Sequence, residues 1–360
     1  MKTSPRYACL TLVIATSWLL NLLAEETPKP PAISPPTIDR RVEKSTDCLG
    51  LDSCFACQDT LNMGEERSAD ARACLEGLQW KTEKFTVRLQ AAEKDRGDWL
   101  VRFPSATPLG NERNDTVALE WYQAKDETGK PLRAPGVVIV HESGSNMLVG
   151  RAIAQMLRPK GVHTFLIHLP YYGVRRGPEG RPKEGNLIGI LKQGIADTRR
   201  ARDAVAALPL VDSSRIALQG TSLGGFVAAT TAGLDNAYQR VFILLAGGDI
   251  YSVLMHGQRD AVKVRAEFQK NGLSDAELKE LFATIEPLRL AHRVNANQTW
   301  LYSGSFDEVV PPRNSELFAA AAGLKEKHHI KMLANHYSGI LFLPPLLQEI
   351  RDLIVADSGE

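Results

Sequence analysis

The chain has 360 residues, 44% of them hydrophobic and 24% charged, with a formal net charge of +1. That is ordinary globular composition, long enough for one large core. Near-neutrality removes any whole-protein argument for nucleic acid or an anionic membrane as partner, and no internal repeat supports a solenoid.

Lys2 and Arg6 precede the apolar run "ACLTLVIATSWLLNLLA", which ends at Ala24 before Glu25 and Glu26. A basic head, a short apolar stretch and a small residue before acidic ones predict a signal peptide over residues 1–24, with an uncleaved anchor as the alternative. Either way the remainder is expected in an exported compartment, secreted or periplasmic, with no stable membrane span once the signal is removed. Residues 25–39 are rich in proline and predict an extended linker.

Residues 40–83 hold Cys48, Cys54, Cys57 and Cys74, and predict a small, mostly helical segment. Four cysteines in an exported chain predict two disulfides, against the alternative of a four-thiolate metal site suggested by the C-x-x-C of Cys54 and Cys57. The disulfide reading implies no metal. The sequons at Asn114 and Asn297 would accept glycans only in a host that attaches them.

Three alternating, β-branched runs follow: "KFTVRLQ", "DWLVRF" and "TVALEWYQ". From Gly136 apolar strands alternate with helices. "GVVIVH", "HTFLIHLP", "RIALQG", "RVFILLAGG", "NQTWLYSG" and "HHIKMLAN" read as strands, with amphipathic or alanine-rich helices between them. That pattern predicts an α/β fold with a mostly parallel sheet and helices on both faces. Residues 251–287 interrupt it with two further helical patterns, the second behind a Ser274 cap, and predict a small helical cap insertion.

The chemistry is concentrated at "RIALQGTSLGGFVAATTAG". Gly220-Thr221-Ser222-Leu223-Gly224 fits G-x-S-x-G at a strand-to-helix junction, where a strained serine stands clear of the sheet and side chains at the flanking glycines would collide. A serine needs a base, itself oriented by an acid. Asp307 lies in the loop after "WLYSG" and His336 just past "IKMLAN", both at the end of the sheet where Ser222 emerges. Asp249 competes for the acid, while His256, His292, His328 and His329 sit at less suitable places. The Leu223 amide, at the helix N-terminus, is the first expected oxyanion donor. The loop after "GVVIVH" should supply a second, and Ser145 or Asn146 in it could equally cap the next helix.

These motifs are similar to those of the α/β-hydrolase superfamily, over a hydrolase domain running from residue 84 to 360. "IVHESGSN" resembles the dienelactone-hydrolase-like branch, and "ADTRRARDAVAALPLVDSSRIALQGTSLGG" resembles secreted esterases and acyl-peptidase-like hydrolases. The resemblance implies that Ser143 donates the second oxyanion amide and that Glu142 lies close to the nucleophile. "LPYYGVRRG" resembles a loop of that superfamily; Tyr171 and Tyr172 would stand at the mouth of the site with Arg175 and Arg176 behind them as an anion clamp, the alternative being a loop with one packed tyrosine and solvated arginines. The expectation is a serine esterase acting on a small or polymer-borne ester, without a cofactor. An acyl-peptidase-like serine peptidase and a non-catalytic binding module are the alternatives.

Overall fold

The structure, a computed structural model, describes residues 50–178, 180, 187–270 and 273–356. The predicted signal peptide, the proline-rich linker and Cys48 lie outside them.

Ten strands form one sheet in the order β1-β2-β3-β4-β6-β5-β7-β8-β9-β10. β1 (Cys54–Gln58), β2 (Lys84–Ala91), β3 (Trp99–Pro104) and β4 (Thr116–Tyr122) form an antiparallel meander. β4 joins β6 antiparallel, and from there every pairing is parallel. The parallel part comprises β5 (Ala134–Val140), β6 (His163–Ile167), β7 (Val211–Thr221), β8 (Arg240–Leu244), β9 (Thr299–Gly304) and β10 (His329–Met332).

Side-chain alternation divides the core in two. Val138 and Val140 of β5 face one side with Leu218, Val241 and Ile243, under the helices Leu187–Ala206, Leu223–Asp235 and Pro312–Ala321. Val137 and Ile139 face the other with Ala217 and Phe242, under the helices Leu148–Leu157 and Leu343–Val355. In chain order the helices are α1 (Ala69–Glu76), α2 (Leu148–Leu157), α3 (Leu187–Ala206), α4 (Leu223–Asp235), α5 (Ile250–His256), α6 (Asp260–Lys270), α7 (Asp275–Ala283), α8 (Pro312–Ala321) and α9 (Leu343–Val355), with four-residue helices at Glu112–Asp115 and Pro287–Leu290. The predicted insertion is α5 to α7, and Ser274 and Glu277 close the capping box that starts α7.

The N-terminal segment differs from expectation. β1 is an edge strand of the main sheet, and α1 is the only α-helix among the described residues before β2. The two predicted disulfides are not formed: Cys54, Cys57 and Cys74 are free thiols. Cys54 and Cys57 stand three residues apart on a strand and so face opposite sides, about 10 Å apart along it, beyond disulfide reach. Cys74 is buried in α1, its thiol donating to the Thr284 carbonyl at 3.4 Å. Burial pushes the Cys74 thiol up to about 11; burial and then Asp203 push Cys57 up to about 12, so both stay neutral and poor metal ligands.

Buried ion pairs fasten this segment instead. Arg200 Nε donates to Asp59 Oδ2 at 3.0 Å, and the Trp80 indole donates to the same oxygen at 2.6 Å. The Thr60 amide and hydroxyl donate to Asp203, and Arg199 lies between Asp203 and Asp235. The "ADTRRARD" stretch of α3 is thus the anchor for the N-terminal strand.

Asn114 is also not a glycan acceptor. It is fully buried, its Nδ2 donating to Gln193 Oε1 at 2.7 Å and its Oδ1 accepting from the Tyr171 amide at 3.0 Å. Asn297 is exposed.

Candidate active site

Ser222 follows the last residue of β7, and Leu223 opens α4. Its backbone is strained, with φ 53° and ψ −115°, in a region that residues with a Cβ rarely occupy. The sheet holds it there: the Ser222 amide donates to the Leu244 carbonyl of β8 at 2.9 Å. The flanking glycines answer to close contacts. A Cβ on Gly220 would lie 2.1 Å from the Gly224 carbonyl oxygen, and one on Gly224 would lie 2.1 Å from the Val140 carbonyl oxygen.

Ser222 Oγ lies 2.9 Å from His336 Nε2, and His336 Nδ1 lies 2.7 Å from Asp307 Oδ2. The carboxylate can only accept, so Nδ1 carries the hydrogen and Nε2 is left to accept from the serine. Asp307 is buried, and its other oxygen accepts from the amides of Val309 and Val310 at 2.9 Å each. That fixes the carboxylate plane. The loops bearing the acid and the base are tied together: the amides of Ser305 and Phe306 donate to the carbonyls of Met332 and Ala334. Gly304 allows this, since a Cβ there would come within 2.7 Å of the Ala334 oxygen.

The competing residues are occupied elsewhere. Asp249 caps α5, accepting from the Ser252 amide. His328 stacks on Trp300, and His329 meets Ser303. His256 bonds within α5, and His292 meets Glu66.

The loop after β5 is built by side chains whose role sequence reasoning missed. His141 Nδ1–H donates to the Glu142 carbonyl at 2.5 Å, while its Nε2 accepts from the Leu169 amide at 3.2 Å. Burial holds the His141 imidazole down at about 3, hence neutral. In a trans peptide the C=O and the next N–H point in opposite directions. The Glu142 carbonyl turns to His141, so the Ser143 N–H turns away from it, and Ser143 lines the same cavity as Ser222 and Leu223. As the first helical residue, Leu223 has an N–H without an intrahelical acceptor.

Glu142 does not face the nucleophile as a substrate contact. Its carboxylate caps α2, accepting from the amides of Val149 and Gly150 at 3.1 Å each, and burial raises it above the usual carboxylate range. The cap is therefore neither Ser145 nor Asn146. Arg175 is not an anion clamp. It is wholly buried, with Nη2 donating to Asp197 at 2.7 Å and the rest of its fork donating to the carbonyls of Asn114 and His168. Of the two tyrosines, Tyr172 lines the cavity, packs against His141 with the ring planes tilted by 59°, and donates from its hydroxyl to the Ser143 carbonyl at 3.1 Å. Tyr171 is outside the lining, at φ 64°. The cavity, about 230 Å³, runs from Ser222 beneath α5, α6 and α7. Among the described residues no group of three His, Cys, Asp or Glu side chains could hold a metal ion.

An antiparallel lead-in, a parallel sheet in which the connection from β6 to β7 passes over β5, and a strained serine at the tip of β7 before a helix define a known architecture. The chain has the α/β-hydrolase fold. The sequence profile of the prolyl oligopeptidase family matches residues 191–339 of this chain, from within α3 to past His336. A provisionally named esterase of Bacillus subtilis (strain 168), YitV, is 27% identical over 210 residues, spanning 55% of this chain and 78% of its own. The acetyl xylan esterase of Paenibacillus sp. R4 superposes with a TM-score of 0.54 at 18% identity, covering 82% of this chain and 96% of that enzyme. Acetyl xylan esterase 1 of Thermoanaerobacterium sp. JW/SL YS485 gives 0.51 at 16% identity, covering 79% and 92%.

Proposed function

We propose that the protein is a serine hydrolase that cleaves carboxylic esters through an acyl-enzyme on Ser222. The observation that carries this is the unbroken chain from Ser222 Oγ through the His336 ring to Asp307, at 2.9 and 2.7 Å. His336 Nε2 takes the hydroxyl proton as Oγ attacks the acyl carbon. The carbonyl electrons move to oxygen, where the amides of Leu223 and Ser143 receive the negative charge. Collapse expels the alcohol oxygen, protonated by His336. A water then loses its proton to His336 and attacks the acyl-enzyme, releasing the acid and restoring Ser222. Asp307 remains ionised throughout and holds the tautomer. The basic head and apolar run of residues 1–24 support an exported enzyme.

Hydrolysis of a chromogenic aryl ester should stop once one fluorophosphonate is bound per chain, with the added mass on the peptide containing Ser222. A folded chain that turns over no ester and takes no label would sink the reading. The match to the prolyl oligopeptidase family favours a second reading, amide hydrolysis by the same residues. Matched aryl esters and aminoacyl or prolyl anilides, assayed in parallel, separate the two.

The loop geometry makes His141 a positioning residue for the Ser143 amide. His141→Phe keeps the ring against Tyr172 but releases the Glu142 carbonyl. It should lower kcat by one to two orders of magnitude, somewhat less than outright loss of an oxyanion donor, with KM nearly constant. His141→Asn, whose amide nitrogen can replace Nδ1, should recover part of the loss. Equal rises in KM in both variants would show that the ring serves packing alone.

A further inference from the structure

Resting on the Ser222 reading above, we infer that the cavity beside Ser222 is an acyl-chain site that selects esters of uncharged aliphatic acids of medium chain length over acetates. Its wall is the first argument. Leu187, Phe226, Val253, Leu254, Val264 and Phe282 are typical of it, and no charged side chain among the described residues lines it. The polar side chains present are Ser143, Ser222 and Tyr172, and the Tyr172 hydroxyl already donates to the Ser143 carbonyl. A sugar hydroxyl or a carboxylate pushed into this wall would lose its water without gaining partners, whereas a methylene gains by entering.

The second argument decides which half of the ester enters. His336 has to protonate the leaving alcohol, so the alcohol departs on the His336 side. His336 is not among the residues lining the cavity. Its own neighbourhood is more polar: the ring meets Tyr337 edge-on at 5.6 Å, and the Arg259 guanidinium lies 4.9 Å above the Tyr337 ring. The cavity runs along Ser143, Leu223, Phe226 and Val227, on the flank of the two amides that face the carbonyl oxygen, with Val309 and Val310 of the Asp307 loop also in its wall. The acyl chain therefore extends under the cap, and the alcohol toward Tyr337.

Size favours a chain over an acetyl group. A space of about 230 Å³ is many times the ~10–15 Å³ in which one water-sized sphere fits, so it admits a run of several methylenes. An acetyl group would leave nearly all of it unfilled.

The test uses the full chain and p-nitrophenyl esters from acetyl to dodecanoyl, so that only the acyl group varies. kcat/KM should rise by up to about fourfold per methylene, the gain expected for a fully buried one. The octanoyl ester should exceed the acetyl ester by at least a hundredfold, and dodecanoyl should fall back. Val264→Trp, on the cap side of the cavity, should lower the octanoyl-to-butanoyl ratio at least tenfold. A second arm holds the acyl group as acetyl and lengthens the alcohol, where a flat profile is expected. A third titrates Ser222→Ala protein with ethyl octanoate and ethyl acetate, expecting at least thirtyfold tighter binding of the former without any turnover. Ester cleavage that is fastest on acetyl, or steep only in the alcohol arm, would overturn the acyl-chain site and leave the Ser222 mechanism standing. Absence of any ester cleavage would remove the mechanism, and the Ser222→Ala titration would then decide whether the cavity takes an aliphatic chain.

Discussion

Asp307→Asn is expected to lower kcat by about four orders of magnitude while leaving the fold and KM nearly unchanged. The substitution is almost isosteric, and the asparagine carbonyl can take over the two amides of Val309 and Val310 that Oδ1 now accepts. What it cannot do is accept from His336 Nδ1 with the remaining atom, because an NH₂ group now stands where Oδ2 lay 2.7 Å away. The imidazole answers by moving its hydrogen to Nε2. Nε2 then donates to Ser222 Oγ across the 2.9 Å between them instead of accepting from it, and no lone pair is left to take the serine proton. No other carboxylate replaces Asp307: Asp249 is committed to the start of α5 and Glu308 is exposed. kcat and KM on an aryl ester, measured with a thermal melt of the same sample, check the prediction. A loss below tenfold with an unchanged melt would mean that the acid orients nothing.

Those three residues were legible because each follows from local pattern: a glycine-flanked serine between a strand and a helix, and two loops leaving strands at the same end of the sheet. The strands and helices from β2 onward were legible for the same reason, since periods of two and 3.6 are written in consecutive residues. What stayed hidden depends on partners far away in sequence. Arg175 and Arg176 are indistinguishable as letters. The turn of Gly173–Arg175 sends the first inward to Asp197 and leaves the second exposed. Glu142 resembled a site residue by its position after β5, yet the N-terminus of α2 claims its carboxylate. The cysteines suggested covalent staples because the pairs Arg200–Asp59 and Asp203–Thr60, which do that work, join residues more than 130 positions apart. β1 was missed as a strand because "CFACQ" is too short to show a period, and its extended form comes from pairing with β2.

Gly224→Ala should be strongly disruptive, destabilising the protein by more than about 4 kcal/mol or preventing folding outright. The added methyl would meet the Val140 oxygen at 2.1 Å, the Val140 carbonyl carbon at 2.5 Å and the His141 oxygen at 2.6 Å, all of them backbone atoms. β5 cannot retreat, because it is hydrogen-bonded to β6 on one side and β7 on the other. α4 must therefore lift, and with it Leu223 and the strained Ser222. Gly50→Ala is the control: its nearest neighbour would be Ser53 Oγ at 3.9 Å, and a change within about 0.5 kcal/mol is expected. Denaturant melts of both proteins check the contrast, and a Gly224→Ala loss below about 1 kcal/mol would show that the helix moves freely on the sheet. Any Gly224→Ala protein that does fold should also hydrolyse esters poorly. The same contact that excludes a Cβ presses the start of α4 against the end of β5, from which the His141–Ser143 loop departs, so it sets the spacing between the Leu223 and Ser143 amides.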